Sequence, residues 1–154
     1  MQGFIIVATV IAVIVAYSIY STFHGRRKRV DKLRRCFGKI PTQKYDETDM
    51  ESIACYWQER SHAEKLPFAV DDTTWGDLDM DAVFARVNNT CSSVGEEYLY
   101  GALHETQFNG EKLAQREQLI RYLDAHDEER LRLQTSLDRL GKVGFNGLCG
   151  FLYH

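Results

Sequence analysis

The sequence predicts an all-α protein: an N-terminal transmembrane helix followed by a partial helical bundle. Three observations carry this. No segment of the 154 residues alternates polar and apolar side chains with a sustained period of two. The apolar residues after residue 48 recur at helical spacing, behind recognisable capping signals. And the chain opens on a long uncharged stretch, Phe4 to Tyr20, rich in Ile and Val.

The opening stretch reads as an uncleaved anchor. At about 1.5 Å per residue, Phe4 to Phe23 spans roughly 30 Å, one hydrocarbon core. Seven basic residues follow at once: Arg26, Arg27, Lys28, Arg29, Lys32, Arg34 and Arg35. No Lys or Arg precedes the run. The positive-inside rule then puts the N-terminus outside and the rest in the cytoplasm, as a single-pass protein of the cell membrane. A cleaved signal peptide needs its basic residues on the other side, and a buried core helix needs more covering chain than there is.

The net charge of −3 conceals an asymmetry. Residues 24–39 sum to +7, which leaves −10 for the remainder. The seven basic residues named above are the candidate binding residues, for lipid headgroups or for weak nucleic-acid contact. Their place beside the anchor favours the membrane as partner. The acidic remainder is not a footprint for DNA.

Three parts are expected: residues 1–23 as anchor, 24–47 as basic juxtamembrane segment and linker, 48–154 as helical domain. Thr48 and Glu51 have capping-box spacing, so a helix should run to about Glu64 with Ile53, Tyr56 and Trp57 on one side. Pro67 ends it. Asp79 can cap a short helix carrying Val83, Phe84 and Val87. Ser93 and Glu96 form a second box, opening a helix with Tyr98, Leu99, Ala102 and Leu103 inward. Asn109-Gly110 is a turn. From Glu111 the pattern is helical to Leu140, broken by the polar run Asp124–Arg130, so two helices or a kink are expected. Gly141 is the stop. Residues 141–154, with the apolar, glycine-rich ending GFNGLCGFLYH, read as the cut end of a longer helical domain.

No residue qualifies as catalytic, nucleotide-binding or metal-ligating. Cys36, Cys55, Cys91 and Cys149 show no CxxC spacing and read as reduced thiols. A calcium loop starting at Asp77 fails at Ala82 and Asn88, where Gly and Glu are needed, so Asp77, Asp79 and Asp81 read as helix-capping carboxylates. The five histidines are scattered. Trp57 and Trp75 read as packing residues, since no basic residues interleave with them. Asn88-Asn89-Thr90 matches a glycosylation sequon, which an inward-facing domain would not present.

Residues 71–103, DDTTWGDLDMDAVFARVNNTCSSVGEEYLYGAL, resemble the start of the core or lever domain of MutS-like proteins, in particular a membrane-anchored MutS-related branch in bacteria. The stretch Leu113-Ala114-Gln115-Arg116-Glu117-Gln118-Leu119-Ile120 is similar to a helix of that family. The resemblance covers about residues 71–140 and lies in structural helix wording. It implies a helical lever linking an ATPase to DNA-clamping arms, with DNA as partner, ATP and magnesium as cofactors of the full-length family, and a possible homodimer through a missing C-terminal region. The family's Phe-x-Glu mismatch wedge is absent. So is a Walker loop: Ser136 stands five residues before Gly141-Lys142, and Val143 where Ser or Thr is required. The expected role is therefore a membrane-anchored piece of mismatch-repair-type machinery that bears no ATPase site itself. A non-enzymatic tethered adaptor, binding another protein through its helical face, is the alternative; an independent enzyme ranks third.

Overall fold

The computed structural model describes residues 2–64, 66 and 68–142 of the chain. The described residues form seven α-helices and no named strand: α1 (Gln2–Cys36), α2 (Glu47–Ala63), α3 (Asp72–Asp77), α4 (Met80–Val87), α5 (Ser93–His104), α6 (Gly110–Ala125) and α7 (Asp127–Asp138). The all-α class is therefore right. The chain divides into two units at Cys36/Phe37.

The first unit corrects two expectations. Among the described residues, no helix is long and apolar enough to cross a membrane. The transmembrane helix, and with it the single-pass localisation and orientation, is overturned. From Thr9 onward the apolar run is interspersed with hydroxyls at Tyr17, Ser18, Tyr20, Ser21 and Thr22, and charge begins at Arg26. α1 continues unbroken through the basic block, because Arg and Lys are good helix formers and Gly25 alone does not stop a helix. Arg35 Nε donates to the Asp31 carbonyl within the last turns, at 3.2 Å. The linker between α1 and α2 runs from Phe37 to Asp46.

In the second unit, α2 and α5 pack together and α4 lies on α5, with α3 joined to α4. Ile53, Trp57, Trp75, Phe84 and Tyr100 form the core. Both tryptophans are packing residues, as the sequence suggested. Phe84 is wholly buried, with its ring 5.4 Å from Tyr100 edge-on and 5.6 Å from Tyr45.

Several boundaries differ from the reading of the sequence. The capping box of α2 is made by Asp46 and Asp49: the Asp49 amide donates to Asp46 Oδ1 at 2.8 Å and the Asp46 amide donates back to Asp49 Oδ2 at 3.2 Å. Thr48 lies inside the helix. A carboxylate at this position also meets the positive end of the helix dipole. α3, unforeseen, is capped by Asp71, whose carboxylate accepts from the Thr74 amide and hydroxyl at 2.9 Å each. Asp79 does precede α4, but in a left-handed conformation (φ 50°) and with no side-chain cap. Asn109 caps α6, accepting from the amides of Glu111 and Lys112 at 2.9 and 3.2 Å.

The break in the long C-terminal stripe falls at His126, between α6 and α7. Arg130 pins this joint. Its Nη1 donates to the Leu123 carbonyl at 3.0 Å, satisfying a free end of α6, and its Nη2 meets Asp127 at 2.7 Å. Its guanidinium also stacks 3.5 Å from the Phe37 ring centroid. α6 buries no residue and packs on α7. Gly141 follows α7 in a left-handed conformation (φ 73°), as a helix stop requires. The proposed cut end, residues 141–154, lies outside the described residues beyond Lys142.

Candidate functional site

The seven basic residues singled out from the sequence, Arg26, Arg27, Lys28, Arg29, Lys32, Arg34 and Arg35, all lie on the last turns of α1, and all are exposed. At about 100° per residue they do not ring the helix evenly. Arg27, Lys28, Lys32, Arg34 and Arg35 share one arc of roughly 160°. Arg26 and Arg29 fall on the other side with Val30 and Leu33, which are partly or wholly buried. On the charged arc, Lys28, Lys32 and Arg35 form one row along the axis, and Arg27 and Arg34 a second. Asp31 is the one acidic residue inside the arc. The row Lys28–Lys32–Arg35 extends about 10 Å, with successive charges roughly 5 Å apart along the axis. Such an arrangement suits a linear polyanion. The case for lipid headgroups rested on a neighbouring span, and without the span it loses its reason.

A second concentration of polar groups lies inside the other unit, on α5. Its buried residues are Ser93, Glu96, Glu97, Tyr100, Gly101 and His104. Their spacing is that of a helix face, yet most are polar. Of the predicted inward residues, Leu99 and Leu103 are half-buried against the core and Ala102 is half-buried, while Tyr98 is 61 % exposed. An apolar-stripe search cannot find a buried face made of Glu, Ser and His.

At the N-terminal end of that face, Ser92 rather than Ser93 is the cap; its Oγ accepts from the Gly95 amide at 3.2 Å. Glu96 does not reach back to complete a box. Its Oε1 accepts three hydrogen bonds, from Tyr45 Oη at 2.9 Å, Asn88 Nδ2 at 3.0 Å and Lys142 Nζ at 2.7 Å. Asn88 Nδ2 donates also to Tyr45 Oη at 2.7 Å, while its Oδ1 accepts from the Thr90 amide and hydroxyl. Burial, then the Glu96 carboxylate, push the Tyr45 phenol well above its ordinary range. Buried, and with its amide nitrogen engaged, Asn88 cannot serve as a glycosylation acceptor.

At the C-terminal end, His104 lies between two indoles. Its ring is 3.6 Å from Trp75 and 4.5 Å from Trp57, nearly parallel to both. Its Nδ1 is 3.2 Å from the Val70 carbonyl, and its buried Nε2 has no partner. Desolvation holds His104 below the usual imidazole range, opposed in part by the Val70 contact and the charges of Asp72 and Asp81. Asp81 accepts from Trp75 Nε1 at 2.8 Å and Tyr100 Oη at 3.3 Å. So Asp81, one of the supposed capping carboxylates, instead orients two core aromatics. Both ends of α5 read as architecture.

Among the described residues, no group of three His, Cys, Asp or Glu is placed to hold a metal ion. Cys36 is exposed, and Cys55 and Cys91 are half-buried; none of the three is in a disulfide. Cys149 lies outside the described residues. Compared with known proteins, the chain matches no family model, no curated protein and no solved structure.

Proposed function

We propose that this chain is a non-catalytic helical module of MutS-like, DNA-acting ATPase machinery, and that it meets DNA phosphates through the charged arc of α1. The arc is the observation that carries the reading: five exposed basic residues on one helical face, at a spacing that follows a phosphate backbone. The wording of residues 71–103, which falls on α3, α4 and α5, supplies the link to the family. ATP and magnesium belong, on this reading, to another part of the machinery, and the module's contribution is rigid helical linkage and backbone contact.

The test is binding of the full chain to homoduplex and mismatched DNA as a function of salt. Affinity should not depend on the mismatch, and should fall as salt rises from about 50 to 200 mM, with a log–log slope of about −0.9 per phosphate engaged. Lys28→Gln with Lys32→Gln should flatten that slope by about two contacts' worth, and Arg26→Gln with Arg29→Gln by less. Salt-independent binding, or equal loss from both pairs, overturns the assignment of the arc.

A second reading is a protein-binding adaptor, favoured by the exposed apolar residues of α6, Leu113, Leu119 and Ile120. It is distinguished by a chain that ignores DNA, yet loses a protein partner on Ile120→Glu.

A further inference from the structure

Among the described residues, the chain leaving α7 meets the core through Gly141 and Lys142. The Ser93 amide, at the start of α5, donates to the Gly141 carbonyl at 3.1 Å. Beside it, Lys142 Nζ donates to Glu96 Oε1 at 2.7 Å and to Gln43 Oε1, in the linker before α2, at 2.8 Å. The Glu96 side chain is only 7 % exposed, whereas that of Lys142 is 31 % exposed. Tyr45 and Asn88 hold the carboxylate from its other sides. The fixed half of this contact therefore belongs to the core, and the half near solvent belongs to the departing chain.

We propose that Lys142 and Glu96 form a latch that holds α6 and α7 against the core, and that its release frees these two helices to swing while the core stays folded. Three features make the parts separable. Without Lys142, Glu96 keeps two neutral donors, so a neutral side chain of the same shape is accommodated at that position. α6 buries no residue, so the packing that opposes release is confined to Arg130, Leu131 and Thr135 of α7. And Arg130 ties α7 to α6 across the His126 joint, so the two are coupled to each other.

The partly buried ion pair is suited to a latch rather than a weld. Breaking it by removing only the lysine leaves an uncompensated buried carboxylate, which would perturb the core as well. Removing both charges leaves the core satisfied. The experiment therefore compares the full-length wild type with Lys142→Met, Lys142→Arg and the double variant Glu96→Gln/Lys142→Met, by amide hydrogen exchange resolved to peptides. A helix released from its packing is marginal in water, so undocking reads out as exchange. In the double variant, amides of 110–138 should exchange at least about tenfold faster, with those of α2 and α5 unchanged. Lys142→Arg should restore most of the protection. Lys142→Met alone should also loosen the start of α5, which separates the stranded charge from the lost latch. Unchanged exchange across 110–138 in the double variant overturns the proposal. So does equal acceleration in α2 and α5, because the contact would then be ordinary core.

Discussion

At the scale of single residues, buried polarity distinguishes this protein. His104 is 2 % exposed and stacked between Trp57 and Trp75, with Nε2 unpaired. Its folded-state pKa is depressed, so the unfolded chain binds the proton more readily. The sign follows: the His104 contribution is fully present above the unfolded value near 6.5, and is lost as pH falls below it toward the folded value. Across that window the loss should approach about 1.4 kcal/mol per pH unit. Denaturant melts at pH 7.5 and 5.5 should show it, and His104→Phe, which keeps the stack, should remove that pH dependence. A wild type equally stable at both pH values would contradict the assignment of a neutral buried imidazole.

At the scale of elements, two glycines of α5 make opposite predictions. A Cβ on Gly101 would meet Tyr56 Cε1 at 3.6 Å and Trp57 Cε3 at 3.7 Å, ordinary contacts. Gly101→Ala should therefore stabilise the fold by about 0.5–1 kcal/mol, through lost freedom of the unfolded chain. A Cβ on Gly95 would meet Thr90 Cβ at 3.1 Å and the capping Ser92 Oγ at 3.2 Å. Gly95→Ala should cost on the order of 1 kcal/mol by crowding the cap. Thermal melts of the two variants should move in opposite directions. The same helix shows what was legible in the sequence. Its existence and its capping region could be read, because Ser-rich capping wording and helical spacing are local signals. Its inner face could be read only at Leu99 and Leu103, because the burial of Glu96 depends on Tyr45, Asn88 and Lys142, which come from three other parts of the chain. α3 was missed for a related reason: six residues are too few to show a period. The His126 break, by contrast, was visible as a polar interruption of an apolar stripe. Of the candidate site, the identity of the seven basic residues was plain from the sequence, but their unequal distribution needed an unbroken α1.

At the scale of the whole molecule, apolar surface is distributed unevenly. Phe84 is fully enclosed, while Leu113, Leu119 and Ile120 of α6 are 46, 57 and 56 % exposed. Core and α6 substitutions should therefore differ sharply. Phe84→Ala should cost about 3–5 kcal/mol, and Ile120→Ser less than about 0.5 kcal/mol, in chemical denaturation of the chain. Exposed stripes of this kind associate when nothing covers them, so sedimentation of the wild type should depend on concentration, and Ile120→Glu should reduce that dependence. A similar cost for Ile120→Ser and Phe84→Ala would mean that α6 is an integral part of the core.

The polar inner face of α5 also limits how the protein can deform. A helix whose buried side is uniformly aliphatic can rotate or creep along its neighbours, exchanging one greasy contact for another. α5 has no such freedom. A one-residue slip turns it by about 100°. That slip would part Glu96 from Tyr45 and Asn88 and would withdraw His104 from between its indoles. Each separation leaves a desolvated group unmatched. The helix is therefore keyed to a single register, held or unfolded with no graded state between.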